Sequence, residues 1–551
     1  MEARGRGGAA SSHPPSLLSS LLPQNSAGVG IFATDAAAAR NRVPLWARAA
    51  AAARVAPPRD ALLASFPLSI AVTPATALAD PVLGAKYAAL RAAGDVDDRA
   101  LVMLHLAVER ARGRASRLAP WLAALPREFG TPLHFDDADM ALLAGTTLGK
   151  AAASLRARLS AAWARLAPAA ADLAQAAGVP AAPTLADFQW AYSTFWWGRW
   201  RAAAEVATLE VARAPTPSPS SLASRSRGMA FPAPTPAGDP VGTEGVLPGL
   251  DFCNHARGAA VRWTVWGGRG ADADPDTAAP PLAASLIAPA GAVSPGDELL
   301  IDYGDKTQEE LLLLYGFAHA ATAGGVLMVP CPLPASGAGW DADLEDRLEL
   351  LRRRGLAPQV FLPADGPGGG GGARWPALWA RWSGAAAPAS GPLFDSVCPD
   401  LPPGVWATLE AFVLDPGDVR AALAATGGAP PPARPDPGLR MAVLTTLTRL
   451  LESIVLSLEG EGGTGSLEAD VAALEADARA APDAAAAAAT AAAGGPAPAA
   501  PATIVSHMTP TARACVAYRA SQKRAARLWL AEARRLLDAE VARLEKAAGG
   551  G

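Results

Sequence analysis

Gly249-Leu250-Asp251-Phe252-Cys253-Asn254-His255, then Ile301-Asp302-Tyr303-Gly304, then Glu309-Glu310-Leu311-Leu312-Leu313-Leu314-Tyr315-Gly316-Phe317: the reading of these three segments decides the fold. Taken singly, each is ordinary. Asn-His after an apolar run fits a strand end with a turn, and Tyr303 and Tyr315 fit core aromatics whose hydroxyls find partners. Their order and spacing carry the information.

Working outward, residues 246–303 read as short strands. Arg262-Trp263-Thr264-Val265-Trp266 alternates and stops at Gly267-Gly268, and Leu299-Leu300-Ile301 follows a Pro295-Gly296 turn. Upstream, residues 95–210 read as helical, with Thr184 and Asp187 spaced as a capping box that opens a helix through Phe188, Tyr192 and Phe195. Beyond residue 340 helices return. Leu444, Leu447, Leu451, Ile454 and Leu458 share one helix face, and a last helix covers 510–546. Residues 214–244 read as a Pro/Ser-rich loop, and 365–373, 426–438 and 478–502 as flexible segments. The order predicts an α+β chain: a β-rich domain over 15–320 with a helical insert over about 95–200, then an all-helical C-terminal domain over 321–551.

Composition bounds the function. The 551 residues carry a net charge of -4, so no broad basic surface is implied and nucleic acid is not an expected partner. Cys253, Cys331, Cys398 and Cys515 form no CxxC pair, which argues against a structural zinc site and a disulfide framework, and for a reducing compartment. No run of about 18 uncharged, strongly apolar residues predicts a membrane span. Residues 1–59 hold seven Arg and only two acids, Glu2 and Asp35. That composition fits a transit peptide, and equally a disordered tail, set here at 1–14 because a motif begins near Ala27.

The decisive segments, in this order, resemble the SET-domain methyltransferases, and among them the Rubisco large-subunit lysine methyltransferase family, which has a split SET domain and a helical substrate-binding domain. The resemblance rests on Asp251, Asn254-His255, Tyr303 and the Tyr315-Gly316-Phe317 element. It extends to Ala27-Gly28-Val29-Gly30-Ile31-Phe32-Ala33, to Trp121-Leu122-Ala123-Ala124-Leu125-Pro126, to Phe188-Gln189-Trp190-Ala191, and to Tyr518-Arg519-Ala520-Ser521-Gln522-Lys523-Arg524. It implies S-adenosyl-L-methionine (AdoMet) as cofactor and methyl transfer to a lysine ε-amine of a protein. It further implies Tyr303 as the catalytic residue. Ala27, Gly28, Val29, Gly30, Arg199, Asn254, His255 and Tyr315 would hold the cofactor, and Asp251, Trp263, Tyr303 and Tyr315 the substrate side. A monomer acting on a protein with an accessible lysine is expected, without a metal or a membrane. The resemblance and the Arg-rich start favour a chloroplast location, with the cytoplasm as the alternative.

The chemistry suits these residues. Transfer from a sulfonium is an in-line displacement that rewards positioning. The amine must be neutral, which a narrow aromatic channel favours by disfavouring the ammonium. A turn at Gly28–Gly30 lets main chain approach a cofactor where a Cβ would obstruct it. Two departures stand out. The family arginine falls on Gly198, so its role passes to Arg199 one residue later, and residues 34–56 are an Ala/Arg-rich run where the family has a compact strand pair.

Other readings are weaker. Gly28-x-Gly30-x-x-Ala33 matches a dinucleotide fingerprint, but a strand follows it instead of a helix, and residues 45–55 offer no acid. Gly145-Thr146-Thr147-Leu148-Gly149-Lys150 is one residue short of a phosphate loop and reads as a turn. Two alternatives stay open within the fold: a protein-histidine methyltransferase, which Tyr315 disfavours, and a catalytically silent interaction module.

Overall fold

Three segments distant in sequence meet in one antiparallel sheet. The computed structural model describes residues 60–197, 230–233, 241–266, 283–294, 296–304, 306–318, 325–331, 333, 341–367, 401, 404–424, 437–492 and 508–549. The strand Ala283–Pro289 lies in the middle of the sheet, flanked by Asp60–Pro67 and Arg262–Trp266. Ala284 through Ala288 are all buried, as a strand covered on both faces requires. The two buried hydroxyls it brings together, Ser65 and Ser285, satisfy each other at 2.9 Å. Leu62 opposes Ile287 and Ala64 opposes Leu286, so Leu63 is an extra residue that bulges the first strand.

A smaller pairing positions the site. Asn254–His255 runs parallel to Leu300–Ile301, with Asn254 opposite Leu300 and His255 opposite Ile301. A parallel bridge joins Val261 to Ile301 as well. The strand that leads into Tyr303 is therefore laid against the Asn-His segment, although some 45 residues separate them in sequence.

The insert supplies helices. Asp98–Arg112 is capped by the Asp97 carboxylate on the Ala100 N–H at 2.7 Å, and Leu101 through Glu109 are all buried. Such all-round burial marks a core helix and explains a nearly continuous apolar run, broken only by His105. Thr147–Ala176 presents Leu148, Leu155, Leu159, Leu166 and Leu173 inward. The Thr184–Asp187 box opens the helix Leu185–Trp197, with Thr184 N–H on the Asp187 carboxylate at 2.9 Å and Asp187 N–H on the Thr184 hydroxyl at 3.3 Å. Gly145 to Lys150 is a turn leading into a helix capped by Thr146.

The C-terminal part is helical. Val443, Leu444, Leu447 and Leu451 of the helix Pro437–Glu459 pack with Ala525, Ala526, Trp529 and Ala533 of the last helix, Pro510–Gly549. Among the described residues, Pro437–Glu459 is the one helix long and apolar enough to cross a membrane, and its leucine stripe lies in this core. Several segments differ from the sequence reading. Within 214–244, read as a loop, Ala230–Ala233 pairs antiparallel with Val241–Glu244. An antiparallel strand pair, Val326–Pro330 with Gln359–Pro363, accompanies the helices. Residues 478–492, assigned to a flexible segment, continue the helix Leu467–Ala492, because alanine is the strongest helix former and an Ala-rich run needs no linker reading. Likewise Pro437 of the Pro-rich segment 426–438 stands at a helix start, where its missing N–H is tolerated.

Candidate active site

Gly249 adopts a φ of 97°, which a side chain would resist, and the chain then makes a short 3-10 turn over Leu250–Phe252. Asp251 fixes this turn. Its Oδ1 accepts the Gly249 N–H at 2.7 Å, and its Oδ2 accepts the indole N–H of Trp121 at 2.8 Å. Both oxygens are thus engaged by the protein, and the side chain is 2% exposed. Asp251 was expected on the substrate side, yet it acts as a tether between the motif loop and the helical insert. Burial pushes its carboxyl up to about 7, against the pull of the two donors. Trp121 itself borders a cavity of about 420 Å3, with Ile70, Val72, His105, Glu109 and Pro248 among its lining residues.

His255 and Tyr303 lock two segments together. The Tyr303 N–H donates to His255 Nδ1 at 3.0 Å, and the Tyr303 hydroxyl donates to the Cys253 carbonyl at 2.8 Å. The Ile301 carbonyl lies 3.3 Å from the same ring nitrogen. A neutral imidazole cannot both accept and donate at one nitrogen, so the shorter contact assigns the ring proton to Nε2. Burial lowers the His255 pKa and keeps the ring neutral. Its ring lies 4.7 Å from that of Tyr303 and 6.1 Å from Phe317.

Tyr315 completes the group, 4.8 Å from Tyr303 between centroids with the rings at 49°. It is delivered by a helix that Thr307 and Glu310 open as a capping box and that ends in a π-type turn over Leu311–Tyr315. Gly316 stops the helix at φ 78°. A Cβ there would stand 2.7 Å from the Gly130 carbonyl oxygen of the insert, so glycine is required twice over. Trp263, on the strand Arg262–Trp266, is half-buried and packs on the core that holds Tyr303 and Tyr315.

The arrangement is a buried aromatic cage of His255, Tyr303, Tyr315 and Phe317. Burial raises the Tyr303 pKa, so the phenol stays neutral and serves as no anionic base. With its proton committed to Cys253, the Tyr303 oxygen acts as an acceptor toward any further group. Ring faces attract cations, and a cage without net charge leaves an amine neutral more readily than water does. Side chains of these types suit a cationic group against a ring face and a neutral nitrogen beside a phenol oxygen.

The sequence motifs bind one another. Trp121 reaches Asp251, the Trp190 indole donates to the Pro126 carbonyl at 2.9 Å, and the Tyr518 hydroxyl donates to Glu309 at 2.5 Å. Sequence reasoning gave no role to Glu298, whose carboxylate accepts from the Asn254 amide. An acid in a Pro-Gly turn carries no signal of that partner. Ala27, Gly28, Val29, Gly30 and Arg199 lie outside the described residues.

No protein-family model and no curated protein sequence matches the chain. Solved structures do. A crystal structure described as the SET domain of LSMT bound to lysine and AdoHcy matches with a TM-score of 0.52 at 15% identity, covering 87% of this chain and 82% of that one. A structure of Rubisco LSMT bound to AdoMet matches with a TM-score of 0.50 at 15% identity, covering 88% and 84%. The chain therefore has an α+β SET-domain fold like that of Rubisco LSMT, with a helical C-terminal part.

Proposed function

We propose that this protein is an AdoMet-dependent methyltransferase that modifies a lysine ε-amine of another protein. The observation that carries the reading is the pair of buried tyrosines, 4.8 Å apart, with the Tyr303 hydroxyl proton held by the Cys253 carbonyl. The two similar structures bind AdoMet in one case and lysine with AdoHcy in the other, which supports the same cofactor and acceptor here.

AdoMet supplies an electrophilic methyl on a sulfonium. The chain supplies the rest. The Asn254–His255 segment, pinned beside Leu300–Ile301, offers a fixed edge for the cofactor, and Ala27, Gly28, Val29, Gly30 and Arg199 are the further residues that the family resemblance assigns to it. Tyr303 accepts an N–H from the incoming neutral amine and so turns its lone pair toward the methyl. Tyr315 and Phe317 exclude water, which removes the solvation that would favour the ammonium. Trp263 lines the approach. No group in the cage is basic enough to deprotonate an ammonium, so the amine arrives neutral, and kcat/KM is expected to rise with pH toward the lysine pKa near 10.4.

The test is transfer of labelled methyl from AdoMet to proteins of a lysate, followed by digestion of the labelled bands. Label on lysine supports the reading. Label on histidine would replace the acceptor but keep the reaction, and absence of both label and AdoMet binding would leave a SET fold used as an interaction module. We place the protein in the chloroplast on the Arg-rich composition of residues 1–59, with the cytoplasm as the alternative.

A further inference from the structure

We infer that Glu309 is a positioning residue through which the last helix and the helical insert together hold Tyr315 against Tyr303. The activity side of this inference rests on the methyltransferase reading; the positioning side does not.

Three segments remote in sequence meet on one carboxylate oxygen. Tyr518 of the helix Pro510–Gly549 donates to Glu309 Oε1 at 2.5 Å. Thr147, the first residue of the helix Thr147–Ala176, donates to the same oxygen, and the two hydroxyls stand 3.5 Å apart. An apolar shell closes over the junction with the same three-way parentage. Leu143 and Leu148 come from the insert, Leu312 and Ala318 from the tyrosine-bearing segment, and Ala514 and Cys515 from the last helix. Burial raises the Glu309 pKa against the lowering pull of the Thr147 and Tyr518 hydroxyls.

The link to Tyr315 follows from helix geometry. A regular α-helix would fix the direction of Tyr315 from any earlier residue. Here the turn Leu311–Tyr315 is π-type, with wider and less regular spacing, so its rotation is not set by the helix alone. It must be set by what grips its ends. At the far end Gly316 packs against the Gly130 carbonyl. At the near end the grip is the Glu309 junction. Tyr518, a residue of the last helix far from the cage in sequence, is thereby connected to the geometry of the candidate active site.

Tyr518→Phe tests this, because it keeps the ring and its packing and removes only the hydroxyl. In the full chain, amide hydrogen exchange over residues 308–317 is expected to quicken. kcat should fall about tenfold, as a small displacement of a reacting wall allows, while AdoHcy affinity measured by calorimetry stays within about twofold. Thr147→Val should act in the same direction. Glu309→Gln, which retains an acceptor oxygen, should keep most of the activity that Glu309→Ala loses. Unchanged exchange over 308–317 in Tyr518→Phe would overturn the inference. So would a joint, proportionate loss of Tm, AdoHcy affinity and kcat, since that marks a merely structural contact. If the wild type transfers no methyl, the methyltransferase reading fails, and the exchange result alone decides the positioning.

Discussion

The cage and the last helix hold their buried polar groups in contrasting ways. Around Tyr303 the contacts are neutral: a phenol on a carbonyl, a main-chain amide on an imidazole, ring against ring. Along Pro510–Gly549 they are ionic. The Lys523 ammonium, fully buried, meets Asp470 Oδ2 at 2.6 Å, Arg519 meets Asp470 Oδ1 at 2.6 Å, and Arg513 meets Asp477 at 2.5 Å. Gln522 adds a bond to the Val326 carbonyl at 3.1 Å. The difference separates two jobs. Hydrogen bonds to main chain and imidazole fix Tyr303 with no ion pair on the phenol, whereas the last helix docks through charge pairs whose mismatch is costly. The Tyr518–Arg524 motif therefore belongs to docking, with Tyr518 its one reach toward the cage.

Substitutions can break this contrast from either side. The largest effect on stability is expected from Lys523→Met, which strips the Asp470 carboxylate of its buried ammonium. A loss of about 3 kcal/mol in denaturant unfolding would fit, with Arg519 limiting the damage. A negligible loss would show that the ionic docking is replaceable. Trp121→Phe comes next, at about 1–3 kcal/mol, because it leaves Asp251 buried with one donor fewer. Its effect should depend on pH. Burial lets the native Asp251 hold its proton up to about 7, well above the usual carboxylate range, so the protein loses stability from this group as pH rises from that range to about 7. Removing the indole donor moves the native value higher still. The variant's Tm deficit should thus be larger at pH 8 than at pH 5, and a deficit that shrinks with pH would refute the tether role of Asp251. Arg535→Ala, which removes a largely exposed guanidinium from a solvent-screened i,i+3 pair with the more covered Glu532, should change stability by about 0.5 kcal/mol or less.

Much of this was legible in the sequence, for identifiable reasons. The strand Arg262–Trp266 and the Thr184 capping box were readable because alternation and cap spacing are local. The segments around Asn254, Tyr303 and Tyr315 were readable as a set, and the structure does bring them within one cage. What escaped is non-local. Asp251 pairs with Trp121 across 130 residues and Tyr518 with Glu309 across 209, and no periodicity encodes such partners. An acid in a motif loop gives no sign in sequence of the indole that holds it, and Trp121 on Asp251 is such a partner. The Ala-rich run ending at Ala492 was misread because low complexity was weighed above helix propensity.

The central claim is that the Tyr303 oxygen orients a neutral amine inside the aromatic cage. The most direct measurement is labelled methyl transfer from AdoMet by wild type and Tyr303→Phe, with AdoHcy binding measured on both. Transfer is expected to fall by roughly a hundredfold or more while AdoHcy still binds, since Phe keeps the ring that packs on His255 and Tyr315. Equal transfer by the two proteins would contradict it.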